Sequence, residues 1–160
     1  KDISILKINK KNRKFHARFS AKERIYNYII FNRSSEPSLN KLRGWHIKKK
    51  LDIKLMIIGS KKLLGTKDFA TFRSSNCGAK SSIKTLKSVR IKVKGEKIEI
   101  KFKSKSFLKQ QVRSMVGCLK YLGEKRWNLE KFIKVMNSKK RSFCAPPAPP
   151  HGLYLEKVIY

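Results

Sequence analysis

Acidic residues are scarce in this sequence: ten Asp and Glu stand against 41 Lys and Arg in 160 residues, a formal net charge of +31. A chain so short of acid is a poor host for a basic partner, and a polyanion is the leading class of ligand. Cysteine is nearly absent too. Cys77, Cys118 and Cys144 are odd in number and lack C-x-x-C spacing, which argues against a disulfide framework and against a zinc site. Reduced thiols in a cytosolic compartment are expected. No apolar run approaches the roughly 18 residues that span a bilayer, and no charged-then-apolar leader opens the chain, so a soluble, cytoplasmic protein is expected. Neither a G-x-x-x-x-G-K-[ST] loop nor a dinucleotide fingerprint occurs, and the three histidines, His16, His46 and His151, lie far apart. There is no internal repeat. The chain opens at Lys1 without a Met, directly in a strand-like segment, and reads as a piece of a longer protein.

What is present is a foldable pattern of one domain's length, with 40% hydrophobic residues. Part of the charge is compositional drift, since 31 of the 41 basic residues are Lys. Ile3 to Ile8 alternates apolar and polar residues as a strand does, and Arg24 to Phe31 predicts a second strand. In the latter, Tyr26, Tyr28 and Ile30 face one way and Ile25, Ile29 and Phe31 the other, so it should be central. Leu51 to Leu64 predicts a helix capped by Asp52 and stopped at Gly65. Val89 to Val93 and Ile98 to Phe102 alternate around Gly95-Glu96 and predict a hairpin with one buried face. Ser106 to Leu122 predicts a helix with Gly123 at C′, followed by a shorter helix capped by Asn128 with Leu129, Phe132, Ile133 and Met136 on one stripe. Four prolines exclude regular structure from Ser142 to Gly152, and Leu153 to Tyr160 predicts a closing strand. The fold class is α+β: a largely antiparallel sheet with helices packed on one face.

A nucleic-acid reader needs cations for phosphates and flat side chains for bases. Lys48-Lys49-Lys50, Lys61-Lys62 and Lys139-Lys140-Arg141 supply the first, and Trp45, Phe69, Phe72 and Phe143 the second. Each run taken singly reads more readily as a solvated face, and each aromatic as core. Asp68, before Phe69-Ala70-Thr71-Phe72-Arg73, reads as a local cap or ion pair rather than a catalytic group. From the residues alone the chain is a basic RNA- or DNA-binding domain.

Five segments in order carry a closer likeness. They are Phe15-His16-Ala17-Arg18-Phe19-Ser20-Ala21-Lys22 with Arg24-Ile25-Tyr26-Asn27-Tyr28; Gly65-Thr66-Lys67-Asp68-Phe69-Ala70-Thr71-Phe72-Arg73; Lys84-Thr85-Leu86; Ser106 to Gly117, containing Gln110-Gln111-Val112-Arg113; and Ala145-Pro146-Pro147-Ala148-Pro149-Pro150-His151-Gly152-Leu153-Tyr154-Leu155. In order and spacing the chain resembles the TruA-type tRNA pseudouridine synthases. The resemblance implies isomerisation of uridine to pseudouridine at positions 38 to 40 of the tRNA anticodon arm, without a cofactor, by a homodimer. It implies an aspartate that attacks the ribose or base, and a uracil that leaves the stack to be reached. Tyr26 matches the tyrosine that packs on the target uracil, Arg113 the arginine that pairs with the catalytic carboxylate, and Leu153 and Leu155 the Gly-Leu-x-Leu segment lining the uracil pocket. Each has a plainer reading: core Tyr, solvated Arg, strand packing. Lys139, Lys140 and Arg141 are the candidate tRNA contacts. The family nucleophile lies in an Arg-Thr-Asp segment, and none occurs here. Residues 1–160 are therefore expected to be the C-terminal catalytic-domain portion, lacking the N-terminal domain and inactive alone. The other reading is a non-catalytic basic RNA-binding module.

Overall fold

The computed structural model describes residues 3–160. Its centre is β1 (Glu23–Asn32), as the two apolar faces of that segment require. β5 (Lys97–Ser104) runs antiparallel along one side of it, while β6 (Leu153–Ile159) and the short β2 (Trp45–Ile47) share the other side, β2 in parallel. β4 (Ile83–Lys94) and β3 (Gly65–Asp68) extend the sheet beyond β5 to give six strands, antiparallel at every pairing but one. The hairpin forms as its alternation dictates, with Lys94 opposite Lys97 and Gly95 at φ 57 in the turn, a conformation that glycine adopts without a steric penalty. Its buried face is complete on β5, where Ile98, Ile100 and Phe102 are enclosed. On β4 Val89 and Ile91 are half-buried and Val93 is exposed.

Three helices cover the face that carries Tyr28, Ile30, Ile98, Ile100 and Phe102. α1 (Ile53–Lys62) starts where Asp52 accepts the Leu55 N–H at 3.0 Å. α3 (Leu129–Asn137) starts where Asn128 accepts the Lys131 N–H at 2.8 Å and buries Phe132, Val135 and Met136. Between them α2 (Gln111–Gly123) inserts Met115, Val116, Leu119 and Leu122, all fully enclosed.

Two expectations need correction. Ile3 to Ile8 is not a strand: its apolar side chains are exposed, Ile3 at 86% and Leu6 at 94%, and among the described residues it pairs with no other segment. Alternation alone does not hold an extended segment without a ladder partner. The helix expected from Ser106 begins only at Gln111, because Gln110 adopts a left-handed φ of 63 and the Gln111 side chain accepts the Leu108 N–H at 2.8 Å. Its far end also differs. Gly123 is the last helical residue, and its lack of a Cβ answers packing: a Cβ there would lie 2.7 Å from the sulfur of Met56. The left-handed C′ position falls to Lys125 (φ 57), with Lys125 N donating to Leu122 O and Arg126 N to Tyr121 O, the bond pair of a Schellman motif.

The proline-rich loop is irregular apart from two single 3-10 turns, Arg141–Phe143 and Pro150–Gly152. It is pressed flat against the core. A Cβ on Gly117 of α2 would collide with the Pro146 carbonyl, and one on Gly152 would stand 2.8 Å from Ile29 O. Among the described residues no helix is long and apolar enough to cross a membrane.

Candidate functional site

Tyr26 stands on the helix-covered face of β1, between Phe102 of β5 and Leu155 of β6 in the pairing register. Two residues further along, Tyr28 is fully enclosed and its hydroxyl donates to Pro149 O at 2.7 Å. Burial pushes that hydroxyl well above the usual tyrosine range. Tyr26 instead lies near the end of the helical cover and is only partly buried. Phe107 braces it edge-on, with ring centroids 5.2 Å apart and planes at 86°.

The left-handed Gln110 turns the chain so that α2 begins beside Tyr26. One turn in, Arg113 donates from Nε to Ala148 O at 2.6 Å, while Ala148 N donates to Arg113 O at 3.0 Å. This two-way clamp fixes the guanidinium against the proline-rich loop. Among the described residues no carboxylate pairs with Arg113.

Tyr26, Arg113 and Leu153 all line one cavity of about 590 Å³. The sequence-level candidates on strand β1, helix α2 and strand β6 thus meet in space. Leu155 does not join them: it lies outside the cavity lining and is 54% exposed. Lys139, Lys140 and Arg141 lie outside the lining as well, and their run is split. Lys139 approaches Asp68 at 3.9 Å, Lys140 is exposed, and Arg141 turns inward to donate to Ser114 Oγ at 3.1 Å. Asp68 behaves as a local group, accepting the Ala70 N–H at 2.9 Å, and Ser82, Ala70 and Lys139 hold its carboxyl below the usual range against the opposing effect of burial. Of the aromatic candidates, Phe69 and Phe72 are core, Trp45 is half-buried with the Lys120 ammonium 5.6 Å from its ring centroid, and Phe143 is exposed.

Residue-level reasoning missed part of the lining: Arg18, Cys77, Lys109, Gln110 and Gln111. All but Cys77 fall inside the segments that carry the family likeness, so the signal was present without an assigned role. Gln111 is 1% exposed; its Oε1 is engaged by Leu108, and its Nε2 has no hydrogen-bond partner. Cys77 receives the Lys109 N–H at 3.4 Å. Burial alone would raise its thiol, but the N–H groups of Lys109 and Ala79 and the charge of Arg73 bring it below the ordinary value. The polar lining is therefore made largely of donors and cations, a wall built for carbonyl or phosphate oxygens.

This wall stands beside the half-buried rings of Tyr26 and Phe107, on an α+β sheet in a strongly basic chain. Residues 60–160 match the family model described as tRNA pseudouridine synthase. Over all 160 residues the chain is 71% identical to tRNA pseudouridine synthase A of Pelagibacter ubique (strain HTCC1062), of which it covers 65%. It is 44% identical over 158 residues to the protein of that name from Caulobacter vibrioides (strain NA1000 / CB15N), covering 99% of this chain and 64% of the relative. The corresponding figures for the Bartonella tribocorum protein of the same name are 45% over 158 residues, 99% and 64%. The chain belongs to the tRNA pseudouridine synthase family, and it spans a little under two thirds of the length of these relatives.

Proposed function

We propose that these 160 residues are the C-terminal catalytic-domain portion of a cytoplasmic, homodimeric tRNA pseudouridine synthase, providing the uracil pocket and much of the tRNA surface. The substrate is uridine 38 to 40 of the anticodon stem-loop. The observation that carries the reading is the meeting of Tyr26, Arg113 and Leu153 around one donor-lined cavity, with the Arg113 guanidinium facing no carboxylate of the described residues. An arginine clamped at Nε keeps its terminal nitrogens for a bidentate partner, which a carboxylate from outside these residues fits. Pairing would hold that carboxylate ionised as the nucleophile requires. Tyr26 stacks on the extruded base and moves the C5 proton. Leu153 closes the apolar side of the ring. The donors of Lys109 and Arg18 suit the carbonyl and phosphate oxygens of the flipped nucleotide. Exposed Lys139 and Lys140 suit phosphates further along the tRNA, and the net charge of +31 supports a polyanionic partner.

The test joins the unmatched part of the Pelagibacter ubique relative upstream of this chain. Release of tritium from tRNA labelled at uridine C5 is then measured, because isomerisation expels the hydrogen at C5. The fusion is expected to release tritium from positions 38 to 40. Tyr26→Phe in the fusion should bind tRNA nearly as well but turn over at least tenfold more slowly, a loss typical of a proton-transfer group. The 160 residues alone should bind without release. A folded fusion that binds tRNA and releases nothing would overturn the enzymatic reading in favour of a non-catalytic RNA-binding module.

A further inference from the structure

Cys118, on the buried side of α2, and Cys144, immediately after the turn Arg141–Phe143, bring their sulfur atoms to 3.4 Å. Both are free thiols, and neither lines the nucleotide cavity. Cys118 is 1% exposed, whereas Cys144 is only partly covered. Two thiols in contact, one sealed and one reachable, differ from Cys77, which among the described residues has no thiol beside it. We propose that Cys118 and Cys144 form a dithiol modification site at which a hydroperoxide closes a reversible disulfide between α2 and the proline-rich loop.

The division of labour follows from the surroundings. The two sulfurs share one hydrogen bond in which either can donate; with Cys118 as the donor and the Arg141 guanidinium beside the half-covered Cys144, the thiolate charge settles on Cys144, below its ordinary range. The same hydrogen bond, together with burial, pushes the Cys118 thiol up. Cys144 is therefore the attacking sulfur. Its thiolate breaks the O–O bond of the peroxide, keeps one oxygen as a sulfenic acid and releases the other as an alkoxide that takes up a proton. Cys118 sulfur then attacks the sulfenic sulfur, the S–O bond breaks, and the hydroxide departs with the Cys118 proton as water. Two thiols and one hydroperoxide become one disulfide, one alcohol and one water; with hydrogen peroxide the alcohol is a second water.

Geometry allows the closure. The sulfurs must move from 3.4 Å to the roughly 2.05 Å of a disulfide. Cys118 is fixed mid-helix beside Gly117, which the Pro146 carbonyl crowds, so the movement falls to the half-covered Cys144 and its turn. That loop continues to Ala148, the residue clamping Arg113. Oxidation would thus tether the loop that positions the arginine.

The experiment treats the folded chain with hydrogen peroxide, then denatures it, alkylates the remaining thiols and maps them by peptide mass. The expected result is loss of alkylation at Cys118 and Cys144 together, a linked peptide two mass units lighter than its reduced parts, and full recovery with dithiothreitol, while Cys77 stays alkylatable. Cys118→Ser should instead trap a dimedone-reactive sulfenic acid on Cys144. Cys118 remaining alkylatable after Cys144 has been oxidised, or Cys144 linked to a second molecule, would overturn the proposal; both are read from the unmutated chain.

Discussion

The two faces of the sheet are built on different chemistry. Toward the helices lie Tyr28, Ile30, Ile98, Ile100 and Phe102, nearly stripped of water. Away from them, alternate residues of the same β5 carry Lys97, Glu99, Lys101 and Lys103, and β4 adds Arg90, Lys92 and Lys94. A few carboxylates thread this field: Glu23 accepts from both Lys87 and Lys103 at 2.6 and 2.7 Å, and Glu156 pairs with Lys101 at 2.6 Å. β1 interrupts the charge, and there the loop at Gly44 covers Ile29 and Phe31. The contrast teaches where the excess charge can be tolerated. It sits on a face that holds little of the folding energy, so the sheet can be basic without loosening its core.

The largest effect should separate neighbours on β5. Phe102→Ala removes an enclosed ring and should cost about 3–5 kcal/mol in denaturant unfolding, whereas Lys101→Ala should stay within about 0.5 kcal/mol. Comparable losses at both sites would erase the distinction between the faces. A smaller effect concerns tRNA. Removing Lys139 and Lys140 together should lower the slope of log affinity against log salt by about 0.9 for each phosphate that is no longer neutralised, with the fold unchanged. If Arg90, Lys92 and Lys101 instead carry the salt dependence, the outer face is the docking side. The smallest is a pH effect. Hydrogen bonds from Lys103 and Lys87 hold the Glu23 carboxyl below its usual range, so folding favours its charged form. Its contribution is present above the ordinary carboxylate value near 4.3 and is lost as pH falls through the lower folded value. Thermal melts from neutral to acid pH should therefore decline less steeply in Glu23→Gln.

Long periodic elements are legible from the amino-acid order alone. The β1 pattern, the hairpin at Gly95-Glu96 and the caps Asp52 and Asn128 depend on neighbours in sequence, and the chain obeys them. β2 and β3 were not legible, because Trp45–Ile47 and Gly65–Asp68 are short and become strands only through β1 and β4. The start of α2 misled for a physical reason: Ser106 to Gln110 has helical apolar spacing, but the left-handed Gln110 and the Gln111-to-Leu108 bond are tertiary choices. For the site, Tyr26, Arg113 and Leu153 were found by likeness and converge in space. Leu155 shares the strand of Leu153 but not its place at the cavity. Arg141 looked like part of a surface run, and only the proximity of Ser114 and Cys144 turns it inward.

The pairing of β6 with β1 also bears on how the protein is made. Glu23 lies opposite Ile159, so two stretches far apart in sequence must find each other. Such a distant pairing slows folding, since a long loop is closed before any ladder bond rewards it. Until then the β6 side of β1 stays open and Leu153 is missing from the pocket. The strand that presents Tyr26 therefore waits for β6, and a nascent chain stalled before Leu153 would be an early client for chaperones.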